Sequence, residues 1–341
     1  MIDTSLHQSE PVMLPGRPWG RTVRSIAGYA LLTALMIRSE LTVFIPATVI
    51  HSAIRNGRRS TWIMLALATL LGFALFAINP ATELQMMQRF SYLAVTVLAI
   101  ALPSMIALPM IERGETFGRV LMIMLLGSAA GLGVVELGAR AAASFSPYAM
   151  FVADAKVTTA VYAKAYAASG MPAAAVTLME RWNAYYTSVL LPGALLVMNA
   201  VSFVLSLMMI GRLRSWFEFA AKRKLTAPGV YLFRNFALPE WALFAFILGG
   251  VAPLLKGTLQ AVSANMLMVA VFLFLLQGFA LLRFLLASAG VGFIGALFAF
   301  GFTFITGVGP MLLGVAGLFD PFFDFRHYKK RKDDSHEGHS D

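Results

Sequence analysis

Long apolar runs alternate with short polar interruptions from about residue 24 to residue 316, and this rhythm is the main structural signal in the chain. Residues 60–78, 89–111, 118–139 and 187–210 each approach the roughly 20 apolar residues that a helix needs to cross a hydrocarbon layer. Three more runs follow, at 238–255, 260–286 and 290–316. Two early runs, 24–37 and 41–54, are much shorter and are separated by Arg38, Ser39 and Glu40. Segments of that length predict a shallow or tilted hairpin buried in a bundle, or a broken helix whose freed backbone groups find partners in protein or water. Pro46 favours some irregularity in the second, and Glu40 reads as an interfacial turn residue, with a binding role as the alternative. The expected fold is all-α, a polytopic transmembrane helical bundle of about 8–9 membrane segments that include the two short early ones.

Polar residues inside the runs are few enough to take singly. Gly127 and Gly131, four apart among small residues, give one helix face on which another helix can lie close, and packing explains them without a ligand. Glu136 and Arg140 share the i,i+4 spacing of an interfacial ion pair, a structural reading set above a transport role for Glu136. Asn199, in the middle of its run, is expected to tie two helices together. Asn265 and Gln277 are twelve apart, so they lie on different faces and are not assigned to one site. Arg283, near the end of the same run, is expected to reach the headgroups as an anchor. Residues 141–186 are less apolar and are divided by Ser169, Gly170 and Pro172. They predict two amphipathic helices, 152–168 and 173–186, on the outer surface or capping the bundle, with Tyr148, Tyr162, Tyr166, Trp182, Tyr185 and Tyr186 as an aromatic belt.

Composition agrees: of 341 residues, 59% are hydrophobic and 13% charged, far below the charge of a water-soluble domain. The net charge of +10 sits in short clusters beside the apolar runs, which favours orientation in a bilayer over nucleic-acid binding. The clusters at Arg55, Arg58 and Arg59, at Arg113 and Arg119, and in RLRSWFEFAAKRKL pair correctly if all face the cytoplasm. Three full crossings after Arg234 would then carry KKRK to the outside, against the same rule. Either the glycine-rich 290–316 region is a pair of half-helices, or one of the last runs does not cross, or the tail lies outside; cytoplasmic termini are the expectation retained. The expected organisation is a polar cytoplasmic tail at 1–22 and a helical membrane domain at 23–317. That domain holds the extracytoplasmic insert at 141–186 and a basic cytoplasmic loop at 212–235. An interfacial segment at 318–328 and a disordered charged tail at 329–341 complete it. The first twenty residues lack the pattern of a secretory signal.

With no cysteine, disulfides, thiolate catalysis and cysteine metal sites are excluded. An enzyme reading would use Asp320 and Asp324 as Mg²⁺ ligands, helped by His327, His336 and His339, but it lacks a scaffold on which they converge. The more direct reading makes GLFDPFFDFR an interfacial anchor. Asp320 caps a helix entered through Pro321, Phe322, Phe323 and Phe325 lie in the apolar boundary, and Asp324 pairs with Arg326 or a lysine beyond it. There is no HExxH, GxSxG or paired intramembrane aspartate motif, so no catalytic, cofactor-binding or metal residue is assigned and a non-enzyme is expected.

RNFALPEW at 234–241, Asn265, LFLLQGFALL at 273–282 and GLFDPFFDFR at 317–326 together resemble the YybS-like family (DUF2232) of bacterial membrane proteins. Pro239 and Trp241, Gln277 and Gly278, and Asp320, Asp324 and Arg326 carry the resemblance, which is looser in the amino-terminal half. The 141–186 insert is longer than the family pattern. The resemblance implies a multi-pass protein of the bacterial inner (plasma) membrane, distantly similar to the substrate-binding subunits of energy-coupling-factor transporters. It implies the lipid bilayer as partner, and a coupling membrane subunit with ATPases, since this chain has no GxxxxGK[ST] loop of its own. The other functional class is a non-transport membrane scaffold or assembly factor that acts on envelope proteins through its cytoplasmic loop.

Overall fold

The computed structural model describes residues 19–78, 83–225, 229–323 and 325–326, and among them every regular element is helical. Residues 1–18 of the expected tail at 1–22, the expected tail at 329–341, Asp324, His327, His336 and His339 lie outside the described residues, while residues 19–22 already belong to the first helix. Five helices are long and apolar enough to cross a membrane, or six if one sharply bent pair counts as a span. Shorter helices complete the bundle, so the number of segments agrees with the sequence only approximately.

The first three helices are α1 (Trp19–Arg38), α2 (Ile45–Asn56) and α3 (Arg58–Ala77). A 3-10 turn at Glu40–Phe44 leads into α2, and its cap is Ser39, whose Oγ accepts from the Leu41 N–H at 3.3 Å. Pro46 stands in the first turn of α2, where its missing N–H costs nothing. Nearly all of α2 from Ile45 to Ala53 is buried, which explains its shortness: a helix enclosed by protein need not match the thickness of lipid. Along α3 the buried positions Thr61, Met64, Leu65, Ala68, Gly72 and Phe76 fall at helical spacing, while Ile63, Leu67 and Leu70 face outward. Apolar residues on both faces are the mark of a helix whose outer solvent is lipid.

The next crossing joins α4 (Glu83–Val95) to α5 (Leu102–Glu112) through a π-helical turn at Thr96–Ala101. A second π turn, Tyr186–Leu190, joins α8 (Ala173–Tyr185) to α9 (Leu191–Ile210). Each lies just ahead of a proline, Pro103 and Pro192, whose ring crowds the carbonyl four residues back; a widened turn relieves the clash. Between these crossings come α6 (Phe117–Ala143) and α7 (Pro147–Ala168). A Cβ on Gly131 would overlap the Leu98 carbonyl in the first π turn, and one on Gly127 would meet Pro103 at 3.2 Å, so the two glycines serve helix contact.

The insert divides at Ser169–Pro172 into α7 and α8, and α8 continues through the π turn into α9 as one helical stretch from Ala173 to Ile210. The hairpin buries little: Pro147 and Ala163 in α7 and nothing in α8. Glu136 holds its root. Its carboxylate accepts from Arg140 Nε at 2.6 Å, Ser146 Oγ at 2.6 Å and the Tyr148 N–H at 2.9 Å, so the expected ion pair also anchors the first turn of α7.

The last elements are α10 (Arg214–Lys222), α11 (Ala242–Gly250), α12 (Gly257–Ser288), α13 (Phe293–Ile305) and α14 (Gly309–Phe323). Helices α13 and α14 meet at 109°. Gly307, at φ +66°, lies in the short break between them, in a backbone region that suits glycine. Two of the three ways to reconcile the basic carboxy-terminal residues with the rest have a counterpart here: this bent pair matches the half-helices, and α11, short of a full span, matches a last run that does not cross. Arg326 then lies against Arg234, so the chain after α14 returns to the end of the bundle that carries the 212–234 segment.

Candidate functional site at the basic face

The basic clusters converge on one face. Arg58 at the start of α3 donates Nε–H to Glu112 at the end of α5 at 2.8 Å. Arg55, Arg214 and Lys222 line one cleft of about 290 Å³ between α2 and α10. Tyr231 donates its hydroxyl to the Glu115 carbonyl at 3.3 Å. Burial, and then the nearby Glu115 carboxylate, hold this phenol above its ordinary pKa, so it stays a neutral donor.

An aromatic cluster fixes the face. Trp216 is fully buried beneath α10, with its ring 5.0 Å from that of Tyr231 and 5.9 Å from that of Phe219. Phe117 meets Tyr231 and Phe236 edge to face at 5.9 and 5.1 Å. Trp216 and Ala220 turn the apolar side of α10 onto the bundle, and Arg214, Lys222, Arg223 and Lys224 are displayed outward. The basic segment expected to lie along the leaflet or to dock a partner is therefore a helix seated on protein.

Next to this platform the family-like motifs meet in one buried knot. Asp320 Oδ2 forms an ion pair with Arg326 Nη2 at 3.1 Å, and their side chains are only 6% and 1% exposed. Gln277 donates to Asp320 at 3.1 Å and accepts the Leu238 N–H at 3.0 Å, while Arg326 Nη1 donates to the Arg234 carbonyl at 3.0 Å. Thus α12, α14, the 229–241 segment and the residues after α14 are locked by one charge pair. The reading of Asp320 as a helix cap is corrected: α14 begins at Gly309 and contains Pro321, so Asp320 lies near its end with its carboxylate inside. Asp324, expected to pair with Arg326 or a lysine beyond it, lies outside the described residues, among which Arg326 pairs with Asp320. Phe319, Phe322, Phe323 and Phe325 are exposed, as residues of an apolar boundary are.

Asn265 and Gln277 of α12 work apart, as their spacing indicates. Asn265 enters the α9 ladder: it accepts the Gly193 N–H at 2.6 Å and donates to the Val189 carbonyl at 2.6 Å, taking up both ends of a bond the π turn leaves open. Asn199 donates to Ser128 at 2.7 Å, joining α9 to α6 as expected of an amide in apolar surroundings. Among the described residues, no three His, Asp or Glu side chains converge as metal ligands.

Two features are not evident in the sequence. Polar side chains run between α1, α2 and α3: Tyr29 Oη to His51 Nδ1 at 3.2 Å, Thr33 to Thr48 at 3.2 Å, and Thr61 to Ser52 at 3.2 Å. Isolated serines and threonines in apolar runs give no sign of such pairing. The other is a cleft of about 350 Å³ lined by Arg212, Arg234 and Arg283 together with Met208, Leu232, Phe233, Ala296, Leu297 and Phe300. Arg283, expected as a simple anchor, lines this cleft and has a buried Nη1 with no hydrogen-bond partner.

No curated protein and no solved structure matches the chain. A family model does: that of the predicted membrane proteins grouped as DUF2232 matches residues 30–321, within which lie Asn265, Gln277 and Asp320, and the chain belongs to that family.

Proposed function

We propose that the protein is a non-enzymatic membrane scaffold whose basic face docks an acidic protein partner. The observation that carries this reading is the construction of α10. Its apolar side is spent on Trp216 and the aromatic cluster, leaving a fixed array of cations turned outward beside a locked 229–241 segment. A rigid charged surface presents itself to a partner at lower entropic cost than a mobile loop. By the positive-inside rule this face is the cytoplasmic one, and the host membrane is the bacterial inner membrane.

A second reading, a small-molecule-binding transporter subunit, is favoured by the bent α13–α14 pair. Discontinuous helices within a membrane commonly border binding sites. One experiment separates the two. The tagged full-length protein is captured in mild detergent and co-purifying proteins are identified, with a variant in which Arg214, Lys222, Arg223 and Lys224 are neutralised. Soluble or envelope proteins retained by the wild type and lost by the variant support the scaffold. An ATPase recovered with a membrane coupling subunit moves the assignment to the transporter reading, and an unchanged set of proteins in the variant overturns docking through α10.

A further inference from the structure

We propose that the arginine-lined cleft is a binding site for the phosphate of an anionic membrane lipid. The argument begins with charge. Arg212 follows α9, Arg234 lies in a short 3-10 turn at Phe233–Asn235, and Arg283 lies in the last turns of α12. These three segments, distant in sequence, bring three guanidinium groups to one cavity. None of the three forms an ion pair among the described residues, although Arg58, Arg119, Arg140, Arg214 and Arg326 all do. Three guanidinium-bearing residues gathered at one cavity without a carboxylate partner among the described residues are an attraction for an external anion.

The second observation is Arg283 itself. Its Nη1 is buried without a hydrogen-bond partner, an unfavourable state for a charged donor at the edge of an apolar region. A guanidinium fork fits a phosphate by paired N–H donors, which would satisfy this atom together with its neighbours in the cleft.

The remaining wall identifies the rest of the ligand. Leu232, Phe233, Ala296, Leu297 and Phe300 are apolar. From Leu297 the exposed side of α13 continues through Ile294 and Phe298, which are 69% and 75% exposed, so the cleft opens onto an apolar track. A free phosphate ion has no use for such a wall, whereas a lipid places its phosphate among the arginines and its acyl chains along α13. Basic pockets between membrane helices take headgroups in this way. Three cations favour a headgroup of about two negative charges, as in a phosphate monoester, over a zwitterionic one.

The test uses the full-length, delipidated protein in non-ionic detergent. Calorimetric titrations are made with dioctanoyl phosphatidic acid, dioctanoyl phosphatidylcholine and inorganic phosphate. The expected result is saturable binding of phosphatidic acid that weakens with salt, at least tenfold stronger than that of the other two. Arg283→Gln and Arg234→Gln should each weaken it by tenfold or more, and Arg181→Gln on the distant hairpin should leave it unchanged. Arg234 is exposed, so its variant keeps the test sound if the substitution at Arg283 impairs folding. A structural role for Arg283 is separated by Arg283→Met: in the lipid-free protein the melting temperature should hold or rise, because an unpaired buried charge has gone. Equal binding of phosphatidylcholine, or indifference to both arginine variants, overturns the site. Inorganic phosphate bound as tightly as phosphatidic acid overturns the lipid in favour of a free anion.

Discussion

The junction of α12 with α14 and the hairpin of α7 with α8 are both helix pairs, yet they are built in opposite ways. At the junction a Cβ on Gly278 would overlap the Leu313 carbonyl, and one on Gly317 the Phe274 carbonyl, so the two backbones touch. The Asp320–Arg326 ion pair then closes that contact inside the protein. In the hairpin Val157, Val161, Leu178 and Trp182 are exposed, and the strong polar contacts lie at its root on Glu136. Burial of charge and close backbone contact make a junction that tolerates few changes. A hairpin that buries almost nothing has little stability to lose, so it is where sequence is free to vary or to serve an interaction.

The comparison breaks most readily at the glycines. Gly278→Leu or Gly317→Leu has no room to relax, because the obstacle is backbone, and each should cost about 3 kcal/mol or more, the upper end for overpacking. Thermal unfolding in detergent measures this, and a melting temperature near that of the wild type would show that α12 and α14 do not meet as described. Next comes Asp320→Ala, which leaves Arg326 buried without its carboxylate and should cost about 3–5 kcal/mol. The double variant Asp320→Leu, Arg326→Met should recover much of that loss. If the double variant is no more stable than Asp320→Ala, the penalty does not arise from an orphaned charge.

A smaller effect belongs to Asn265→Ala. It frees the Val189 carbonyl and the Gly193 N–H at the π turn, and about 1–2 kcal/mol is expected, since neighbouring groups in a membrane protein find substitute partners. Hydrogen exchange at Gly193 should rise more than elsewhere in α9. Uniform protection along that helix would mean that the amide does not bridge it.

The sequence discloses much of this architecture where a single residue type carries the reason. Asn199, Gly127 with Gly131, and the break at Ser169–Pro172 could be read because each acts locally or through one neighbouring helix. The half-helices of 290–316 are one of three ways out of a conflict of charge, and only the three-dimensional bend between α13 and α14 makes them visible. The knot is harder to read. Asp320 and Arg326 are six residues apart, which is no helical pairing rule, and they meet because the chain leaves α14 between them. The cleft is harder still: Arg212, Arg234 and Arg283 look like three separate interfacial anchors until the 229–241 segment folds onto the bundle. Positions that depend on tertiary register leave no periodic trace in sequence.

The smallest effect sharpens the comparison from the other side. Leu178→Ser and Val157→Ser lie on the exposed faces of the hairpin and should change the unfolding free energy by no more than about 0.5 kcal/mol, the range for surface positions. Limited proteolysis should cut first near Ser169–Pro172, where Gly170 at φ +85° turns the chain and both flanking helices are exposed. Neutral substitutions with early cleavage mean that the hairpin stands apart from the core as a separate, weakly held unit. A loss of about 2 kcal/mol at Leu178 together with protection of the turn would have one physical cause, burial of this face in the assembled protein. The contrast between the two helix pairs would then hold for the single chain alone, because a second surface would supply to the hairpin the packing that α14 supplies to α12.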